Sequence, residues 1–174
     1  LYFTKTVDPD KVICTMQVGG KALEYDSLSA ALADLPSDDN VITLLKSFDL
    51  GAQVSVPANS GAATITAAGN EDGTPIVITW ENATASYFSV PSGAELTVSG
   101  NIVIRGSNTK TASSLRAFDV AGTLNFGEVS SASQYPMVEQ FDMTNDNGYA
   151  AIYVNGGTLN LYSGTLSRNK CYYG

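Results

Sequence analysis

The stretch "GGTLNLYSGTLSRN", Gly156 to Asn169, contains Gly-Thr-Leu twice, with the two glycines seven residues apart. A looser form of the phrase runs back through the chain. "VSVPANSGAATIT" (54–66), "FSVPSGAELTV" (88–98), "FDVAGTLNF" (118–126) and "IYVNGGTLNL" (152–161) share one pattern. Each has an apolar residue, a spacer, a valine, a turn with glycine and then another alternating apolar pair. The valines are Val56, Val90, Val120 and Val154, separated by 34, 30 and 34 residues. Gly61, Gly93, Gly122 and Gly157 keep step with them, as do Ile65, Leu96, Leu124 and Leu159, with slippage of up to two residues in the turn.

A repeat of this size stacks. One unit cannot bury its inward side chains alone, but coils lying on one another pair their backbones and share a core. Like residues then form ladders, and each coil turns its corner at a glycine. Few hairpin signals follow Gly20, which disfavours propellers and jelly rolls. The expectation is an all-β, right-handed parallel β-helix in which "GTLNLYSGTL" forms two adjacent strands of one coil, joined at Ser163-Gly164.

Upstream, residues 1–25 read as an extended arm, with "VICTMQV" turning at Gly19-Gly20 and "KALEY" returning as a second strand. Residues 26–36 read as a short helix. Asp26 or Ser27 can cap it, Leu28, Ala31, Leu32 and Leu35 fall on one face, and Pro36 stops it. Its apolar face is expected to cover the open end of the first coil. Residues 37–174 form the coils, and "NVITLLKSF" looks like a strand covered on both faces. Two stretches interrupt the repeat as irregular inserts, "RGSNTKTASSLRA" and "EVSSASQYPMVEQFDMTNDNGYA". The chain stops inside the repeat phrase, so end-to-end association or continuation into further coils is expected.

The order "YDSLSAAL", "VITLLKSF", "VSVPANSGAATI", "GGTLNLYSGTLSRN" resembles the pectate-lyase-like β-helix proteins. More narrowly, it is similar to adhesin-like surface proteins of gut and other Gram-positive bacteria. The resemblance implies a helix capping the first coil and an extracellular or cell-surface, non-enzymatic module. Such a module binds a host or environmental glycan or protein, or presents other domains. Polysaccharide lyases and hydrolases of this fold use aspartate clusters, calcium, or an Arg or Lys base along one sheet. No catalytic motif of those enzymes is matched, so no catalytic residue is carried over, and a carbohydrate-active fragment is the alternative.

Composition narrows the chemistry. The chain has 174 residues, 44% of them apolar, which supplies a core for one domain. A net charge of −8 with scattered basic residues disfavours nucleic acid and anionic membranes. No apolar run approaches the ~18 residues of a membrane span. There is no histidine, so histidine-based triads and histidine-ligated zinc are excluded within this chain. No cofactor is expected. Cys14 alternates with Val12, Met16 and Val18 as a small core residue, or forms a disulfide with Cys171.

If the valines point inward, their neighbours Ser55, Ser89, Asp119 and Tyr153 form an outward column. Asp119 and Tyr153 are candidate ligand-binding residues, although a plain solvated column explains them too. One carboxylate is not the pair that glycoside hydrolysis ordinarily uses. "DMTNDNG" makes Asp142 and Asp146 a weak calcium candidate, against an Asx-rich turn. Arg105 and Arg116 read as solvated arms rather than a lyase base. Trp80 and the late tyrosines, among them Tyr149 and Tyr162, are either sugar- or protein-contacting rings or core packing.

Overall fold

The computed structural model describes residues 7–35, 40–58, 61–106, 116–129, 134–143 and 150–171. After a 3-10 turn at Pro9–Lys11, strand β1 (Cys14–Val18) turns at Gly19-Gly20 and returns as β2 (Lys21–Tyr25), an antiparallel hairpin. Helix α1 (Leu28–Ala33) follows. The chain then winds. β3 (Val41–Leu44), β4 (Phe48–Asp49) and β5 (Val54–Ser55) make one cycle, and β6 (Ala62–Thr66), β7 (Ile76–Thr79) and β8 (Phe88–Val90) the next. β9 (Glu95–Val98), β10 (Ile102–Arg105) and β11 (Phe118–Val120) repeat it. So do β12 (Thr123–Phe126), β13 (Met137–Glu139), β14 (Asp142–Met143) and β15 (Ile152–Val154). β16 (Thr158–Leu161), β17 (Thr165–Ser167) and β18 (Lys170–Cys171) open a further cycle.

Among the described residues the strands gather into a seven-stranded sheet (β16-β12-β9-β6-β3-β1-β2), a five-stranded sheet (β17-β13-β10-β7-β4), a four-stranded sheet (β15-β11-β8-β5) and the pair β14-β18. Every pairing within the winding is parallel and joins one cycle to the next. This is a parallel β-solenoid. As expected, β16 and β17 are consecutive strands of one coil, divided by a corner at Ser163-Gly164 and belonging to different sheets.

The ladders are real. Val90, Val120 and Val154 share one register column, and Leu96, Leu124 and Leu159 another. Val90, Val120, Leu96 and Leu124 meet in one core with Phe88, Phe118 and Phe126, Leu159 packs against it, and Phe88 and Phe118 stack at 5.1 Å. Two assignments need correction. Ile65 stands opposite Val98, whereas Ala63 is the partner of Leu96. Inward positions recur every second residue, so a shift of two keeps a side chain inside, and hydrophobicity alone does not detect it. Val154 keeps its register but is 40% exposed, while Val90 and Val120 are fully buried. β15 is the last strand of its sheet, so among the described residues nothing lies on its far side.

α1 is shorter than the predicted 26–36. Of the two candidate caps Ser27 serves, its Oγ accepting from the Ala30 amide at 3.2 Å. Leu28, Ala31 and Leu32 are buried against β1, β2 and β5, in the same core as Ile42 and Leu44. Leu35 packs on that core from beyond the helix end, and Pro36 lies outside the described residues. The helix does not cover the outer face of β3, where Val41 is exposed and Thr43 half-buried. The expectation of a strand covered on both faces is therefore wrong. The second insert is also more regular than its sequence suggests. It holds β13, which takes its rung between β10 and β17, and β14, which pairs with β18. Both cysteines are free, so the disulfide reading falls. Burial, reinforced by nearby Asp26, pushes the Cys14 thiol up to about 12.

Candidate functional site

The predicted column exists. On the four-stranded sheet Ser55, Ser89, Asp119 and Tyr153 occupy one register row, alternating with inward Phe118, Val120 and Ile152. Asp119 and Tyr153 are neighbours on adjacent rungs, both half-buried. The Arg116 guanidinium lies 4.4 Å from the centroid of the Tyr153 ring, so Arg116 is a ring partner and not the solvated arm predicted. The row thus combines a carboxylate, a phenol and a guanidinium on rigid backbone. It holds one carboxylate.

The remaining candidates do not join it. Tyr162 is exposed at the corner beyond β16, on the seven-stranded sheet's side. Tyr149 and Asp146 lie outside the described residues. Asp142 sits on β14 with Lys170 of β18 at 3.8 Å. Among the described residues no three His, Cys, Asp or Glu side chains come close enough to hold a metal ion.

A second site was missed. On the five-stranded sheet, register carries one row from Asp49 through Thr79, Arg105 and Glu139 to Ser167. Glu139 is on the outer face, yet it is 1% exposed. Arg105 Nε donates to its Oε1 at 2.7 Å, and Arg168 donates to Oε2. Burial alone would raise this carboxyl. The two arginines outweigh that and hold it below the ordinary glutamate range. Arg105 is therefore not a solvated arm either.

At the β4–β7–β10 end of this row is a cavity of about 340 Å³, with Asp49, Thr79, Trp80, Glu81, Arg105 and Gly106 in its wall. The buried Tyr87 lies beneath. Its hydroxyl accepts from the Trp80 amide at 3.1 Å and donates to the Arg105 carbonyl at 3.0 Å. Burial pushes that phenol up to about 12, with the Asp49 charge adding to the effect. Asp49 Oδ2 accepts from the Glu81 amide at 2.7 Å, and Oδ1 accepts from the Gly51 amide at 2.9 Å. One residue on in the register, Trp80 faces Gly106, where the neighbouring coil passes so closely that a Cβ would stand 2.7 Å from the Gln140 carbonyl oxygen. The sequence singles out Trp80, whose ring the structure packs in the core at 7% exposure, and Arg105, but not their company, since the other partners come from separate coils.

Among the described residues no helix is long and apolar enough to cross a membrane. In comparisons with known proteins the sequence matches no family model, and no curated protein or solved structure matches it.

Proposed function

We propose that this chain is a non-enzymatic β-helix module of a bacterial cell surface or secretion, adhesin-like, which binds a host or environmental glycan or protein. The observation that carries the reading is the row Ser55–Ser89–Asp119–Tyr153 with Arg116 against the Tyr153 ring. Hydroxyls, a carboxylate and an aromatic edge stand there in a line on a parallel sheet, which suits a ligand laid along the solenoid. The phrases shared with pectate-lyase-like scaffolds point the same way. A single carboxylate supports binding better than hydrolysis by a pair.

A glycan array combined with a reducing-sugar assay tests this. Binding without turnover is expected, weakened roughly three- to tenfold by Tyr153→Ala through the lost aromatic contact. Turnover would favour a carbohydrate-active enzyme instead. Binding that neither Tyr153→Ala nor Asp119→Asn weakens would remove the row from the account.

A further inference from the structure

Among the described residues β15, β16 and β17 are each the outermost strand of their sheets. The Thr158 and Tyr162 amides donate to the Gly122 and Phe126 carbonyls of the coil before. The alternation of a parallel ladder therefore turns the backbone N–H and C=O of Leu159 and Leu161 the other way. The inward columns stop there too, with Val154, Leu161 and Leu166 exposed although their partners Val120, Phe126 and Val138 are wholly buried. The polar column beside them has a direction. A carboxylate only accepts, so the bond from Asn125 Nδ2 to Glu95 at 2.8 Å fixes that amide, and Asn125 Oδ1 accepts from Asn160 Nδ2 at 2.9 Å. Asn160 Oδ1 is the next acceptor in the series, with no partner among the described residues. At the corner, coils pass so closely that a Cβ on Gly157 would stand 2.3 Å from the Gly122 carbonyl oxygen. The opposite edge of the seven-stranded sheet differs. There β2 carries Lys21 and Glu24, charges that discourage strand addition, whereas β16 and β17 carry none.

These features select one occupant. A parallel strand of alternating apolar and polar residues fits this edge as each coil fits the one before it. Its apolar side chains extend the Leu124–Leu159 and Phe126–Leu161 columns, an amide at the outward position donates to Asn160, and a glycine clears the corner at Gly157. A second copy does not fit. Its first coil is occupied by β1, β2 and α1, and its last coil could meet this one only antiparallel, which breaks the like-on-like columns. We propose that the β15–β16 edge binds an extended segment of a partner polypeptide as a parallel rung, in the register by which β16 lies on β12. This does not rest on the Asp119–Tyr153 row being a ligand site.

The whole chain is titrated against a fluorescein-labelled peptide of residues 152–161, IYVNGGTLNL, and binding is read by polarisation. Laid on β15 and β16, this peptide would repeat the Asn125–Asn160 bond and the close glycine corner. Saturable binding is expected, with a scrambled peptide of the same composition weaker by about tenfold or more. The peptide with Asn160→Asp has no amide to donate and should bind about tenfold more weakly. The peptide with Gly157→Ala, whose methyl meets the corner below it, should lose a similar factor. In the chain, Leu161→Asp at its exposed position should weaken binding about tenfold or more, while Leu23→Asp on β2 leaves it unchanged. Should Leu161→Asp fail to fold, the peptide variants decide on their own. No saturable binding overturns the proposal, as does binding that the scrambled peptide matches or that both peptide variants retain. Binding lost in Leu23→Asp but kept in Leu161→Asp would place the strand on the wrong edge. A dimer in light scattering that Leu161→Asp disperses would make the occupant a second copy, and would equally overturn it.

Discussion

Glu139 shows how one residue's chemistry sets a condition on the fold. Its carboxylate is 1% exposed and held by Arg105 and Arg168 from the neighbouring coils on either side. Because its folded pKa is depressed, the unfolded chain binds more protons as pH falls below the ordinary glutamate value of about 4.3. The contribution is complete above that value and lost as pH drops through the lower folded one. Glu139→Gln should therefore cost about 1–3 kcal/mol at neutral pH and give a shallower acid limb. Urea unfolding across a pH series checks both, and an acid limb as steep as wild type would mean that other carboxylates carry it. The recurring glycines also differ in cause. Gly93 has φ 82, a left-handed conformation that side chains resist. Gly122 and Gly157 do not, but a Cβ on either would stand 2.3 Å from a carbonyl oxygen of the preceding coil.

At the scale of elements, α1 depends on a few contacts. Leu32 is 1% exposed within the shared core, so Leu32→Ala should destabilise by roughly 2–5 kcal/mol. Thermal or urea unfolding measures it, and a loss of a few tenths would mean that the helix is not part of the cooperative core. This helix was legible because Leu28, Ala31 and Leu32 repeat at helical spacing beside a capping serine. The valine ladder was legible because identical residues stack, and with it came the outward column carrying Asp119 and Tyr153. β13 was not, since Val138 is its one inward apolar residue and Gly127, which turns the chain out of β12, lies well upstream of it. The Trp80 cavity was equally hidden. Asp49, Glu81 and Arg105 lie about a coil apart along the chain, and only the winding brings them together. Arg116 and Tyr153 meet for the same reason.

For the whole molecule, the two ends of the winding are unlike. At the first coil, β1 and β2 extend the sheet beyond β3 while α1 fills the core. At the last, Leu161 and Leu166 are 53% and 50% exposed at positions whose counterparts, Phe126 and Val138, are wholly buried. A polar ladder on the outside runs in the same sense, with Asn160 Nδ2 donating to Asn125 Oδ1 at 2.9 Å and Asn125 Nδ2 donating to Thr97 Oγ1 at 3.3 Å. The register that joins each coil to the next has a mechanical consequence. Under tension applied between the termini, the coil with one neighbour should peel before those with two, and each release should free one repeat. A repeat of 30 or 34 residues corresponds to roughly 100–120 Å of extended chain. Single-molecule pulling should show a series of steps of about that length, whereas one abrupt extension of the entire chain would mean that the coils yield together. A solenoid joined coil to coil in this way gives up length in portions under load.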